Sequence, residues 1–316
     1  MSVSIIIPTY NRLWCLPRAI SSCRGARCKT EIIVVDDGST DGTWEWLSRQ
    51  RDLIAVRQEN QGQTYAINNG FSRASCEYVR FLDSDDYLSA GTIDLQYSQA
   101  RDTSADLVIG RVDLKEEQTG LVTSFPDPKD WDDLIAVMLG EGYGSHFLGM
   151  LFRRSFLSDI PRRPNFALRE DRFFLLEVAL KNPSFSFTSG CAGYWIKHKA
   201  QMHTGYGSLT TTVAAWQMWS LYKATLDRLE RESRLTPRRA LAASNVLWPT
   251  AHEIAKTHLY DAIAIVKYIK RICPDYQPKV PALLRFLYRC LGFRWTEVLL
   301  RMRRALKKFL LFKWIR

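Results

Sequence analysis

The chain has 316 residues, 46% of them hydrophobic and 24% charged, which excludes a disordered or collagen-like chain and fits an ordinary globular protein. Seven scattered cysteines (Cys15, Cys23, Cys28, Cys76, Cys191, Cys273, Cys290), an odd number, argue against a disulfide framework and for a reducing compartment. The net charge of +11 is concentrated: from Lys279 onward stand eleven Lys/Arg and one acid, Glu297, so the rest of the chain is near neutral.

Val3 to Ile7 begins a strand at once, so no signal peptide is expected. Leu13 to Cys23 has helical spacing of apolar residues, and Glu31 to Val35 is a second β-branched run. Such continuous apolar runs suit strands buried on both faces of a parallel sheet. Thr43 to Arg51 is predicted as a helix, Ile54 to Val56 as a strand, Thr64 to Ser72 as a helix and Glu77 to Leu82 as a strand. Strand alternating with helix implies βαβ units with right-handed crossovers. The polar turns after residues 7, 35 and 82 then lie at carboxyl ends of strands, where open sheets gather their ligands. A helix (Thr92 to Arg101), a strand (Asp106 to Val112), a loop or hairpin (Glu116 to Pro128), mixed elements over 131–160 and a helix (Phe173 to Leu180) follow. Phe185 to Phe187 and Ala192 to Lys197 are predicted as two late strands. From about Leu209 the pattern becomes helical: Val213 to Arg231, Pro237 to Tyr260 and Tyr260 to Ile272, with Pro274, Pro278 and Pro281 marking a break before the basic tail. No window of about 18 residues is apolar and uncharged, so no transmembrane helix is expected. Cys23 and Cys28 have no partner pair at zinc-finger spacing and are expected to be packing residues.

The run Phe81-Leu82-Asp83-Ser84-Asp85-Asp86-Tyr87 carries the chemistry. Three carboxylates within four residues repel one another unless a cation or water intervenes. Hard oxygen ligands suit magnesium or manganese, which fill their remaining positions with phosphate oxygens and water. The run by itself is also compatible with a solvated turn after a strand.

Together with Ser4-Ile5-Ile6-Ile7-Pro8-Thr9-Tyr10-Asn11-Arg12, Glu31 to Thr43, Asn60-Gln61-Gly62 and Asn68-Asn69-Gly70, this run resembles the inverting family 2 glycosyltransferases of GT-A fold. The resemblance covers about residues 1–205. It implies an α/β GT-A fold, a Rossmann-like mixed, mostly parallel sheet with flanking helices. Residues 1–210 would form the catalytic domain, and 211–316 a helical C-terminal region ending in a basic amphipathic helix. Carried over residue by residue, it implies that Pro8, Thr9, Tyr10, Asn11, Asp36, Asp37 and Gly62 hold the nucleotide. Asp83 and Ser84 would touch ribose and metal, with Asp85 the direct ligand of Mn2+ or Mg2+. Asp86 is expected to orient its neighbours or cap the next element. Glu170-Asp171 resembles the motif supplying the catalytic base, assigned to Asp171; as a bare pair it equally suits a helix N-terminus. Tyr194-Trp195-Ile196-Lys197-His198 resembles a segment near the diphosphate, with His198 the candidate third metal ligand and His203 its competitor. Tyr143 to Phe147 would suit an acceptor-binding loop or ordinary loop packing.

Two departures stand out. Ile67 occupies a position where the family often has Arg, so a phosphate contact would have to come from elsewhere, for example Gln63 or Arg80. No Gln-x-x-Arg-Trp motif is present, which implies addition of one or a few sugars rather than processive synthesis. The resemblance thus implies inverting, metal-dependent transfer from a nucleoside-diphosphate-sugar, UDP by default, to a hydroxyl of a glycan or lipid-linked acceptor in polysaccharide, lipopolysaccharide or capsule assembly. The alternative is an inactive nucleotide-sugar-binding subunit of an assembly complex. Trp295 to Arg316 is predicted as an amphipathic helix, with Val298, Met302, Ala305, Phe309 and Phe312 on one face, widened by Leu299, Leu306 and Leu310, and Arg301, Arg304 and Lys308 on another. That pattern suits an anionic membrane surface and a peripheral position on the cytoplasmic face. It also admits packing on the protein or an oligomer contact, and its apolar fraction is high for nucleic acid.

Overall fold

The computed structural model describes residues 3–129, 131–141, 146–160, 162–164, 168–201 and 208–314, with side chains described throughout except at 208–209 and 307–314. Its chain forms two compact units, one of Met1–Leu134 with Gly144–Thr204 and one of Ile135–Tyr143 with Gly205–Arg316. Tyr143 to Ser145 of the loop named above, His203 and the side chains of Lys308, Phe309, Leu310 and Phe312 lie outside the described residues.

The first unit is built on a single mixed sheet. β1 (Val3–Thr9), α1 (Leu16–Cys23), β2 (Thr30–Asp36), α2 (Thr43–Leu47), β3 (Ile54–Arg57), α3 (Gln63–Arg73) and β4 (Tyr78–Phe81) follow in chain order. β1 pairs in parallel with both β2 and β4, and β3 pairs in parallel with β2. All of β1 and β4 is buried, as their unbroken apolar runs require of strands covered on both faces. Ile5, Ile7, Val34, Leu16 and Ile20 join one core beneath the sheet.

The second half of the sheet is mixed. It adds β5 (Tyr87–Leu88), α4 (Thr92–Thr103), β6 (Leu107–Glu116), β7 (Val122–Thr123), β8 (Met150–Arg153), α6 (Arg154–Leu157), α7 (Glu170–Leu180) and β9 (Phe185–Lys197), while α5 (Leu134–Met138) leads into the other unit. The strand order is β3-β2-β1-β4-β8-β6-β9-β5, with β7 on β6. β8 runs antiparallel to β4 and β6, and β5 antiparallel to β9, whereas β6 and β9 are parallel.

The two late strands expected from sequence are one strand. Ser189 and Gly190 look like a break, but the register with β6 shifts between Ile109 and Val112 instead of ending. A bulge of this kind bends a strand without terminating it. Close packing at the bend depends on small residues. A Cβ on Gly149 would sit 2.3 Å from the Gly110 carbonyl oxygen, so glycine is required there. Gly149 closes a 3-10 turn (Phe147–Gly149), and its carbonyl accepts a 2.8 Å bond from buried Gln96. β9 is thereby carried past β5, with Tyr87 opposite Tyr194, and its end comes over the acidic run.

The second unit is helical: α8 (Ser208–Arg231), α9 (Pro237–Ala255), α10 (Leu259–Ile272) and α11 (Ala282–Trp314). α9 starts on a Thr236 cap followed by Pro237, a common opening, and packs on both α8 and α10. α11 begins well before Trp295 and is broken at Gly292 (φ 72°, ψ 172°). Its polar side faces the protein: Glu297 is fully buried, bonded to His252 Nδ1 (2.6 Å) and Tyr288 Oη (2.5 Å), and Arg301 Nε donates to the Ala255 carbonyl. Trp295, Leu299, Met302 and Leu306 point to solvent. Periodicity identifies an amphipathic helix but not which side is buried, and here Arg304 sits 3.9 Å from the buried acid.

Candidate functional site

Three strand ends converge on one edge of the first unit. Pro8 and Thr9 of β1 stand in register with Val35 and Asp36 of β2. On the other side the Leu82 N–H donates to the Ile6 carbonyl, so Asp83 follows at the same edge. The order β3-β2-β1-β4 reverses direction at β1, and such a switch point opens a crevice at the carboxyl ends.

On the β1–β2 side the turns lock each other. Asn11 takes a left-handed conformation (φ 51°), donates its N–H to Ser39 Oγ and accepts the Thr40 N–H, both at 2.8 Å. Asp36 is fully buried, accepts from the Ser39 N–H and has Arg57 Nε 3.5 Å away. Asp37 accepts from Gln58 Nε2 (2.8 Å) and from the N–H groups of Gln61 (3.0 Å) and Gly62 (2.8 Å). Both carboxylates therefore organise the turn itself. Gly38 has φ +79°, and a Cβ there would meet the Asn60 nitrogen at 3.0 Å. Gly62 opens α3, Tyr10 is exposed, and the buried Thr9 hydroxyl has no hydrogen-bond partner.

On the β4 side Asp83, Asp85 and Asp86 bring carboxylate oxygens within 4.8 Å of one another. Ser84 between them is buried. Gln63 Nε2 donates to Asp83 at 2.7 Å. Asp86 accepts the Ile196 N–H of β9 at 2.8 Å, and its other oxygen is buried without a hydrogen-bond partner. His198 Nε2 lies 3.0 Å from Asp85 Oδ2 while its Nδ1 accepts the Ala200 N–H, so in this arrangement Nε2 carries the proton and donates. Arg12 Nε is 3.9 Å from the same Asp85 oxygen, and Arg18 donates to the Asp85 carbonyl. Burial, and next the Asp85 charge, push both Asp83 and Asp86 well above the usual carboxylate range. Asp171 adds to the shift at Asp83, so the acidic run and the Glu170–Asp171 pair share one field.

That pair opens α7 and is held by Arg162, which sequence reasoning missed. Arg162 Nη1 donates to Glu170 (2.7 Å) and Asp171 (2.9 Å). Its guanidinium lies over Phe174 (4.3 Å) and Phe81 (4.5 Å), an aromatic seat for a buried cation. Glu170 is buried, and burial raises it to about 7 against the pull of Arg162. Asp171 is half exposed, with 49% of its side chain accessible. Ile67 has no polar group to offer a phosphate, and of the two residues expected to stand in for it, Gln63 is at the site. Arg80 is not: it is fully buried, bonded to the Leu148 carbonyl and lowered by burial to about 10. No spacing rule links Arg162 to residues eight and nine positions later, so nothing in the sequence marked it.

The residues present fit a divalent cation. Three hard oxygen donors converge, one buried oxygen is unpartnered, and the raised affinities for protons show a deficit of positive charge.

A family model, "Glycosyl transferase family 2", matches residues 4–194, more than half of the chain. The chain belongs to glycosyl transferase family 2. An uncharacterized glycosyltransferase of Nostoc sp. is 31% identical over 171 residues, 51% of this chain and 53% of that protein. The poly(ribitol-phosphate) beta-N-acetylglucosaminyltransferase TarP of Staphylococcus aureus is 34% identical over 117 residues, 34% of this chain and 36% of TarP. The chain thus spans about half the length, or less, of these relatives. The crystal structure of S. aureus TarS 1–349 in complex with UDP-GlcNAc aligns with TM-score 0.54 at 18% identity, covering 85% of this chain and 90% of that one. This likeness establishes the GT-A fold.

One test follows from the electrostatics. A carboxyl raised in the folded state binds its proton more tightly there than when unfolded. Its contribution to stability is therefore lost as pH rises above about 4, the unfolded value. In EDTA, Asp86→Asn should raise the melting temperature by a few degrees at pH 7 and leave it little changed near pH 4. A lower melting temperature at pH 7 would refute the repulsion.

Proposed function

We propose that this protein is a metal-dependent, inverting, non-processive glycosyltransferase. It moves a sugar from a UDP-sugar to a hydroxyl of a glycan or lipid-linked acceptor in surface-polysaccharide assembly. The observation that carries this reading is the convergence of the acidic run, His198 and Asp171 at the switch point of a GT-A sheet. The names of TarP and of the UDP-GlcNAc complex of TarS support an N-acetylhexosamine nucleotide as the first donor to test.

Asp83 and Asp85 would hold Mn2+ or Mg2+, with Asp86 beside them and His198 either as a third ligand or as the donor that aims Asp85. The bound ion would supply Lewis-acid neutralisation of the diphosphate leaving group. Asp171 accepts the proton of the acceptor hydroxyl as that oxygen forms its bond to the anomeric carbon, and the bond from that carbon to the diphosphate oxygen breaks. Attack from the face opposite the leaving group inverts the anomeric centre. Arg162 fixes the Asp171 carboxylate through Oδ1, and the half-exposed side chain is reachable by the acceptor. Glu170, deeper and raised, shares the guanidinium. The nucleotide lies against the turns of Pro8 to Asn11, Asp36-Asp37 and Gly62.

Asp171→Asn keeps the shape and removes the base. UDP release from UDP-GlcNAc in the presence of a glycan acceptor extract should fall by about 10²–10⁴-fold, the usual worth of general base catalysis, while UDP binding persists. Undiminished transfer would remove Asp171 from this role. Absence of transfer in the unaltered protein, with UDP still bound, would favour the inactive-subunit reading.

We also propose that α11 docks on anionic lipid from the cytoplasmic side. No described helix is long and apolar enough to cross a membrane. Trp295, Leu299, Met302 and Leu306 are exposed on a helix whose flanking Arg294 and Arg303 are also exposed, a combination suited to an anionic headgroup layer. The protein should sediment with phosphatidylglycerol vesicles and not with phosphatidylcholine ones, and Leu299→Glu with Met302→Glu should release it. Equal sedimentation of the double variant would contradict this.

A further inference from the structure

Three rings form a stack beside the candidate site that no step above uses. His146 stacks on Phe147 (centroids 4.8 Å apart, 26° between planes) and on Trp195 (5.4 Å, 25°). Each contact ties the stack to the chemistry. Phe147 lies under the Arg162 guanidinium at 5.3 Å, and Arg162 grips Asp171 at 2.9 Å. Trp195 precedes Ile196, whose N–H holds Asp86. The stack therefore bridges the base pair and the acidic run.

Its end group is open. Trp195 is 39% exposed, a large apolar surface to leave beside a polar site. Two residues on in β9, Lys197 lines a cleft of about 410 Å³ with His198, Lys199, Glu116, Gln118 and Thr119. His146 Nδ1 accepts the Leu148 N–H, which leaves Nε2–H as a donor. Burial lowers the imidazole's proton affinity, against the opposing charges of Asp171 and Asp85.

An indole stacked against His146 and 39% exposed suits a ligand with a flat apolar face and polar edges. Pyranose rings present such a face of C–H bonds, and aromatic π-clouds attract these partly positive hydrogens. Linear sugar alcohols cannot present it without losing conformational freedom. We propose that Trp195, backed by His146, is the platform on which a pyranose ring of the acceptor stacks. The acceptor is then a sugar ring and not a linear polyol. This rests on the glycosyltransferase reading, and it narrows that reading's acceptor to a saccharide.

The test is saturation-transfer NMR on the full chain with UDP and diamagnetic Mg2+, using methyl pyranosides of glucose, galactose, mannose, rhamnose and N-acetylglucosamine, with ribitol and glycerol as comparators. At least one pyranoside should receive saturation on its ring C–H protons. The signal should fall at least fivefold in Trp195→Ala and largely survive in Trp195→Phe, which also guards against misfolding. No pyranoside signal in the unaltered protein, full signal in Trp195→Ala, or equal signal from ribitol would each overturn the platform. If UDP-GlcNAc is turned over while these signals fail, the platform alone falls. If UDP neither binds nor is released from donor, the glycosyltransferase reading falls and the platform with it.

Discussion

Asp83, Asp85 and Asp86 hold carboxylate oxygens within 4.8 Å of one another in a turn that is largely shielded from water. Left uncompensated, like charges at this separation oppose folding, and the raised proton affinities of Asp83 and Asp86 express that opposition. The surrounding structure meets it with donors from distant parts of the chain. Gln63 comes from α3, Ile196 and His198 from the end of β9, and Arg12 from the turn after β1. The sheet order, the bulge in β9 and the small residues that permit its bend all serve to bring these groups to one edge.

The Glu170–Asp171 pair is governed by the same balance in reverse. One buried cation, Arg162, serves two carboxylates of unequal exposure. Burial dominates at Glu170 and lifts it to about 7, whereas Asp171 stays half exposed at the rim. A single guanidinium seated on aromatic rings thus separates two adjacent acids into a buried, structural member and an accessible one.

Much of this was legible in the sequence where chemistry and local pattern coincide. The β-branched runs at Val3 to Ile7 and Glu31 to Val35 can hardly be anything but buried parallel strands, and each ends in the turn residues that face the crevice. The acidic run was ambiguous alone, a solvated turn or a cation site, and became telling only beside the other turn motifs. Elements defined by long-range contact were not legible. β5 is two residues long and exists only because β9 pairs with it. The Gly190 region looked like a chain break because a bulge and a turn use the same residues. Arg162 and the stack of Phe147, His146 and Trp195 arise from the meeting of separate segments, which no spacing encodes. In α11 the stripe was visible but its direction was not, since only the contact with His252 and Tyr288 determines that Glu297 turns inward.

In the proposed function the acidic run is a cation–diphosphate site. Calorimetric titration of UDP into the protein with Mn2+ and with EDTA, for the unaltered chain and for Asp85→Asn, tests it most directly. UDP binding should need Mn2+ and weaken at least tenfold in the variant. UDP binding of equal strength in EDTA and in Asp85→Asn would contradict it.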